Sequence, residues 1–210
     1  MCIKRQRGVT LVELVIFMVI VGVAAAGIMG VMNLGARNSA DPVRRKQALM
    51  IAEAFMEEVQ MAHFTYCDAS DPKVSTANSP SDCTTPVTIG IPSGSRPYAN
   101  VANYAAQEGV ASHTFAVNGV DVDISGRPLG QDASLNTMGN SLAGYTTTVT
   151  LHTLAGSDAL GPSGNAISSD TTPANLNVLR ITVTTAYGSG SSEKVILDGY
   201  RTRYAPTYAP

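Results

Sequence analysis

Residues 9–32 constrain this chain more than any other stretch. They form a nearly unbroken apolar run, interrupted by Thr10, a few glycines and one acidic residue, Glu13. A helix of this length reaches across a bilayer, whose hydrocarbon core takes about 20 apolar residues. Lys4, Arg5 and Arg7 precede the run. The positive-inside rule keeps that end cytoplasmic and sends the rest of the chain across the inner membrane. Two features resist an ordinary anchor. A carboxylate lies near the start of the run, where an ionised group costs about 2–3 kcal/mol and commonly marks function. Gly8 stands where the basic and apolar segments meet.

Three readings of the N-terminus compete. A secretory signal peptide cut after Ala24-Ala25-Ala26 has suitable small residues. It accommodates neither Glu13 nor the apolar continuation through Ile28, Met29, Val31 and Met32. A plain signal anchor leaves Glu13 as an unexplained cost. The third reading rests on Arg5-Gln6-Arg7-Gly8-Val9-Thr10-Leu11-Val12-Glu13-Leu14, which resembles the class III leader of type IV pilins and their pseudopilin relatives. The resemblance implies that a prepilin peptidase cuts after Gly8, that the new amine of Val9 is methylated, and that Glu13 guides assembly. Where that family usually has Phe, this chain has Val9, but the cut depends mainly on the glycine. Glu13 would lie about 6 Å along the helix axis from the new amine. In a bundle of staggered stems, one subunit's carboxylate can then meet a neighbour's amine. Low dielectric rewards such a pair and penalises either charge alone. Gly22, Gly27 and Gly30 would let helices approach closely.

The remainder reads as one exported, β-rich domain. Charged residues make up only 14% of the 210-residue chain, and the formal net charge is −2. Three of the basic residues sit in the leader, so the rest is more acidic still and offers no patch for nucleic acid. Cys67 and Cys83 flank a polar loop and read as a disulfide of an oxidising compartment. Closing such a loop contributes about 3 kcal/mol in the chain-entropy model. Two unpaired buried thiols are the alternative.

Periodicity sketches the elements. Residues 33–40 are polar and small, and Asp41-Pro42 reads as a helix restart with Asp41 as N-cap. From residue 43 to about 64, Leu49, Ala52, Phe55 or Met56, Val59 and Ala62 recur at helical spacing, opposite Arg44, Arg45, Glu53, Glu57 and Gln60. A short strand is expected over residues 87–91. A hairpin is expected around Asn118-Gly119, joining 114–117 to 120–124. Alternation then predicts strands over 145–151, 178–185 and 194–203, the last two joined by a Gly/Ser turn. The loop over 155–175 is long enough to be functional or mobile.

Further segments are similar to one pilin subgroup, the D-type minor pilins of mannose-sensitive haemagglutinin (MSHA) pili. They are Ser39-Ala40-Asp41-Pro42, Ala52-Glu53-Ala54-Phe55-Met56-Glu57-Glu58-Val59, the Cys67/Cys83 loop, Arg96-Pro97-Tyr98, Leu142-Ala143-Gly144-Tyr145 and the segment from Leu197 to Tyr204. The expected fold is α+β and pilin-like, a long N-terminal helix with an apolar stem and an amphipathic half packed on an antiparallel sheet. The divisions are a cleaved leader (1–8), a transmembrane or filament-core helix (9–32), an amphipathic helix (33–64) and a β-rich head (65–210).

Chemistry is sparse. His63, His113 and His152 are scattered, and no nucleophile or zinc motif accompanies them. Asp121, Asp123 and Ser125 resemble the opening of a calcium loop, but the twelfth position is Asp132 and not glutamate. A strand running into a Ser-Gly turn accounts for them equally well. The expectation is a minor pilin with no enzymatic activity and no cofactor. It would be held in the inner membrane with its head in the periplasm, then built into an extracellular pilus. Its partners would be prepilin peptidase and other major and minor pilins, with adhesion or surface motility as the outcome. A type II secretion pseudopilin is the nearest alternative. A membrane-tethered periplasmic enzyme or calcium-binding module is the more distant one.

Overall fold

The computed structural model describes residues 10–131, 144–162, 164–188, 190 and 193–203, without the side chains of 33–41. Two compact units result, Met1–Arg44 and Arg45–Pro210. A helix, α1 (Leu11–Met61), carries residues of both and has Pro42 inside it. The predicted restart at Asp41-Pro42 is therefore corrected: α1 continues through Pro42, and the Asp41 side chain lies outside the described residues. Proline costs a helix the bond to the carbonyl four residues back, but its fixed φ suits the helix. Arg44, Arg45, Lys46, Gln47, Ala48 and Leu49 follow, all strong helix formers that carry α1 onward.

In the first unit, Leu11–Met32 is long and apolar enough to cross a membrane, and none of it is buried within the chain. That is the character of a helix whose solvent is lipid or other helices.

In the second unit, the amphipathic half of α1 covers a three-stranded antiparallel sheet. Its strands are β3 (Thr146–Thr153), β4 (Val178–Ala186) and β5 (Lys194–Thr202), in the order β3-β4-β5. These three strands lie where alternation predicts them, and the α+β arrangement of a helix packed on an antiparallel sheet is observed. Alternation does the work: Thr147, Val149 and Leu151 point inward from β3, and Leu179, Ile181 and Val183 from β4. The helix answers with Ala48, Ile51, Ala52, Phe55, Met56 and Val59. The stripe is wider than the sequence suggested, and Leu49 lies at its half-buried margin. Phe55 stacks on Phe115 at 4.1 Å between ring centres, tying the connecting segments into the same core.

The hairpin forms as predicted but is short, with β1 (Ala116–Val117) pairing to β2 (Val120–Asp121). Asn118 and Gly119 take φ of 51° and 79°, as a two-residue primed turn requires. The strand expected over residues 87–91 does not form. Pro86 and Pro92 bracket that run and remove donors, leaving a single bridge between Cys67 and Pro86. Cys67 and Cys83 are joined as a disulfide. Inside that loop the Asp71 carboxylate accepts the amides of Lys73 (2.9 Å) and Thr85 (2.6 Å), which hold its pKa below the usual carboxylate value.

The long 155–175 loop is tied down where it is described. Leu160 and Ile167 exchange backbone bonds of 3.0 and 2.7 Å, and Ser169 is buried against Leu154 and Asn177.

One glycine sets how closely helix and sheet approach. Gly199 is the buried residue of β5, and a Cβ there would meet Gln60 Nε2 at 2.7 Å and Met56 Sδ at 3.1 Å. Gln60 can swing aside; buried Met56 has less room. Gly199→Val is expected to lower stability by about 1–3 kcal/mol through overpacking, with Gly199→Ala milder. Urea unfolding of the two variants checks the order, and equal stability of all three proteins would refute the tight contact.

Candidate functional site

The leader residues come first in the argument, and Gly8 and Val9 both lie outside the described residues. The structure picks up the chain at Thr10. Its hydroxyl accepts the amide of Glu13 at 3.3 Å, and its carbonyl accepts the amide of Leu14 at 3.2 Å. Thr10 and Glu13 thus occupy the first and last places of a Thr-x-x-Glu capping pattern. The pattern is present in the sequence as Thr10-Leu11-Val12-Glu13. A carboxylate in the first helical turn also faces the positive end of the helix dipole. Glu13 is thereby less anomalous than its apolar neighbours suggest, since it sits at the one end of the helix that favours an anion. Gly22, Gly27 and Gly30 have open space around them within the chain.

Asp121, Asp123 and Ser125 do not converge on a common point for a cation. Asp123 Oδ1 accepts the amides of Ser125 (2.8 Å) and Arg127 (2.9 Å), while its Oδ2 pairs with the Arg127 guanidinium at 2.9 Å. Those bonds close a turn through Gly126, at φ 79°. Asp121 points elsewhere, buried against Thr147, with Oδ2 lacking a hydrogen-bond partner. Burial pushes its pKa up, against the pull of the Thr147 hydroxyl and amide. Among the described residues no cluster of three or more His, Cys, Asp or Glu is placed to hold a metal. His152 lies near Glu108 (3.7 Å), and the His63 backbone bridges to that of Asn100.

A buried ion pair of the head is not evident from the sequence alone. Glu58 and Arg96 form an ion pair at 2.7 Å, each side chain only 7% exposed. The Tyr104 hydroxyl donates to the other Glu58 oxygen at 3.1 Å and accepts the Tyr98 amide at 3.2 Å. Arg96 Nη2 donates to the Val122 carbonyl at 2.7 Å, and the guanidinium lies over the Phe115 ring at 4.9 Å. Burial, with Glu58 beside it, raises the Tyr104 pKa, so its hydroxyl stays protonated and donating. The clue was Glu58 itself, spaced with Phe55 and Ala62 on the inward face of the helix. Two shallow apolar grooves of about 620 and 550 Å³ flank this network and share Glu58, Met61 and Ile124. The buried polar groups in them, Tyr104, Asn100 and Thr65, already bond within the protein.

Two outcomes are expected. Arg96→Met, which leaves Glu58 buried without its partner, costs about 3–5 kcal/mol at neutral pH. Glu58→Met combined with it recovers part of that loss, as a double-mutant cycle in urea would show. Asp121 acts in the opposite sense. Its folded pKa is raised above its unfolded value, so its contribution to stability is fully present below the unfolded pKa and is lost as pH rises through the folded one. Asp121→Asn should therefore flatten the fall in stability between acid and neutral pH. An unchanged pH profile of unfolding would count against the buried, ionising carboxylate.

Comparison with known proteins locates the functional signal at the N-terminus. Residues 3–29 match the family model described as the prokaryotic N-terminal methylation motif. No curated protein and no solved structure matches the chain. The chain therefore carries a type IV pilin-like class III signal and methylation motif, leading into an N-terminal helix of the kind that anchors a protein in a membrane.

Proposed function

We propose that this protein is a minor pilin of an MSHA-like type IV pilus. The methylation motif over residues 3–29 carries the proposal, since it implies processing by a prepilin-type peptidase and residence in the membrane. The α+β head with its helix-covered sheet supports it, as do the segments similar to D-type minor pilins. Cleavage after Gly8 frees the amine of Val9 for methylation and leaves Thr10 to cap the helix. The protein waits in the inner membrane with its N-terminus inside and its disulfide-bonded head in the periplasm. Other pilins then take it up through stem packing. Head-to-tail contacts of that kind repeat without closing and build a filament. Glu13 pairs with a neighbour's N-terminal amine and sets the register. The head acts by contact and performs no catalysis.

Pseudopilins of secretion systems share the processed signal, and the head segments favour a pilus. Mass spectrometry of the mature protein is the decisive measurement, with N-methylated Val9 as the expected first residue. An intact Met1, or a start at Gly27, would exclude this reading. Glu13→Ala is expected to be cut normally yet to be several-fold depleted from sheared filaments, because an unpaired amine is left among apolar stems. Normal incorporation of that variant would remove Glu13 from the assembly step.

A further inference from the structure

Asn118 is the one asparagine of the chain that glycine follows. An asparagine side chain holds an electrophilic amide carbon near the backbone nitrogen of the next residue. Glycine shields that nitrogen least, because it has no Cβ. The primed turn presents this pair at the tip of the β1–β2 hairpin, where Val117, Asn118, Gly119 and Val120 are all exposed. Among the described residues, the Gly119 amide donates to no acceptor and the Asn118 side chain bonds to no group. Nothing lies within 4 Å of where a Cβ on Gly119 would stand, so no neighbour crowds the nitrogen.

Other asparagines are held differently. The Ser79 amide, which would have to attack Asn78, donates to Asp82 Oδ2 at 3.0 Å. The Val101 amide, which follows Asn100, donates to the His63 carbonyl at 2.9 Å. Asn100 is itself buried, with its side-chain nitrogen bonded to Thr65 at 3.0 Å. Asn175 gives its side-chain nitrogen to Asp170 at 2.8 Å. The ladder behind Asn118 is short by comparison. Only Ala116 with Asp121 and Val117 with Val120 are paired, whereas β3, β4 and β5 pair along their whole lengths. A two-stranded ribbon of that size is marginal and opens locally.

We infer that Asn118 is a site of spontaneous modification, where the Gly119 nitrogen attacks the Asn118 side-chain amide and the primed turn is lost. A bond forms between Gly119 N and Asn118 Cγ, and the Cγ–Nδ2 bond breaks. The Gly119 amide proton leaves with Nδ2 as ammonia. Water then opens the cyclic imide. Addition at Cγ gives aspartate, and addition at the main-chain carbonyl gives isoaspartate, whose β-carbon then lies in the main chain. Ring closure needs a backbone angle at residue 118 other than that of the closed left-handed turn, so the reaction proceeds from the opened hairpin. Aspartate keeps the turn, since Asp-Gly serves it as Asn-Gly does. Isoaspartate lengthens the link between Val117 and Val120, and their register fails. The change stops there, because Phe115 and Asp121 are buried and the Val122 amide donates to the Phe115 carbonyl at 2.9 Å. Either product adds a negative charge close to Asp121 and Asp123.

The test incubates the full-length protein in detergent at mildly alkaline pH, where hydroxide speeds removal of the Gly119 amide proton. Mass spectrometry of chymotryptic peptides follows the conversion of amide to acid. Electron-transfer fragmentation tells isoaspartate from aspartate, and amide exchange read by nuclear magnetic resonance reports on the hairpin. Asn118 is expected to convert several-fold faster than any other asparagine, with the isoaspartyl product in excess. In that product the Val120 amide loses its protection while those of Val149 and Ile181 keep theirs. Val117→Gly removes the exposed cross-strand contact with Val120, opens the hairpin more often and raises the rate several-fold. Asn118→Gly keeps a primed turn, leaves Val120 protected and abolishes the conversion. An Asn118 that stays intact while another asparagine converts would overturn the inference. So would an isoaspartyl form whose Val120 amide remains protected, or a rate that Val117→Gly leaves unchanged.

Discussion

The head depends on one buried charge pair. Glu58 on the helix and Arg96 on the connecting chain meet at 2.7 Å beneath the apolar face, and neither charge is tolerable there without the other. Around that contact the rest is positioned. Arg96 bonds to the carbonyl that follows β2 and lies over Phe115, which in turn stacks on Phe55 of the helix. Tyr104 occupies the second Glu58 oxygen and orders the segment around Tyr98. A hydrophobic cluster alone would hold the helix on the sheet, because apolar contact is not directional. The ion pair adds direction, fixing which turn of the helix faces which loop.

Much of this was legible in the sequence, because the two periods were strong. Alternation in Thr147, Val149 and Leu151, and again in Leu179, Ile181 and Val183, placed the sheet and its inner face. Asn118-Gly119 announced its turn. The failures have physical causes. Asp41-Pro42 looked like a boundary because proline is a good first residue of a helix, yet the helix formers after it carry α1 through. Residues 87–91 had strand-like composition, but flanking prolines denied them a ladder. At the candidate site, Glu13 is conspicuous as a charge in an apolar run, whereas its bond to Thr10 depends on where the helix begins. Glu58 stayed hidden because a carboxylate on an inward face reads as a surface residue until its partner is known, and Arg96 is remote in sequence.

The calcium-like segment shows the same limit. Asp121, Asp123 and Ser125 have suitable spacing on paper, but the strand ends at Asp121, so the first carboxylate stays inward while the backbone beyond it turns the second toward Ser125 and Arg127. One braces the sheet edge through Thr147 and the other closes the loop with Arg127. Spacing alone does not determine convergence; the backbone between the residues does.

The placement of the covering sheet also has a consequence for how the chain is made. Phe55, Met56 and Val59 are synthesised early, while Val149, Leu151, Ile181 and Val183, which cover them, come near the end. A chain emerging from its N-terminus carries an uncovered apolar helix face for most of its synthesis, the condition under which partly made domains aggregate. The segment from Val87 to Phe115 appears in between and is the first to shelter that face. The order in which the head acquires its shelter is therefore written into the order of its residues, with β3, β4 and β5 closing it last.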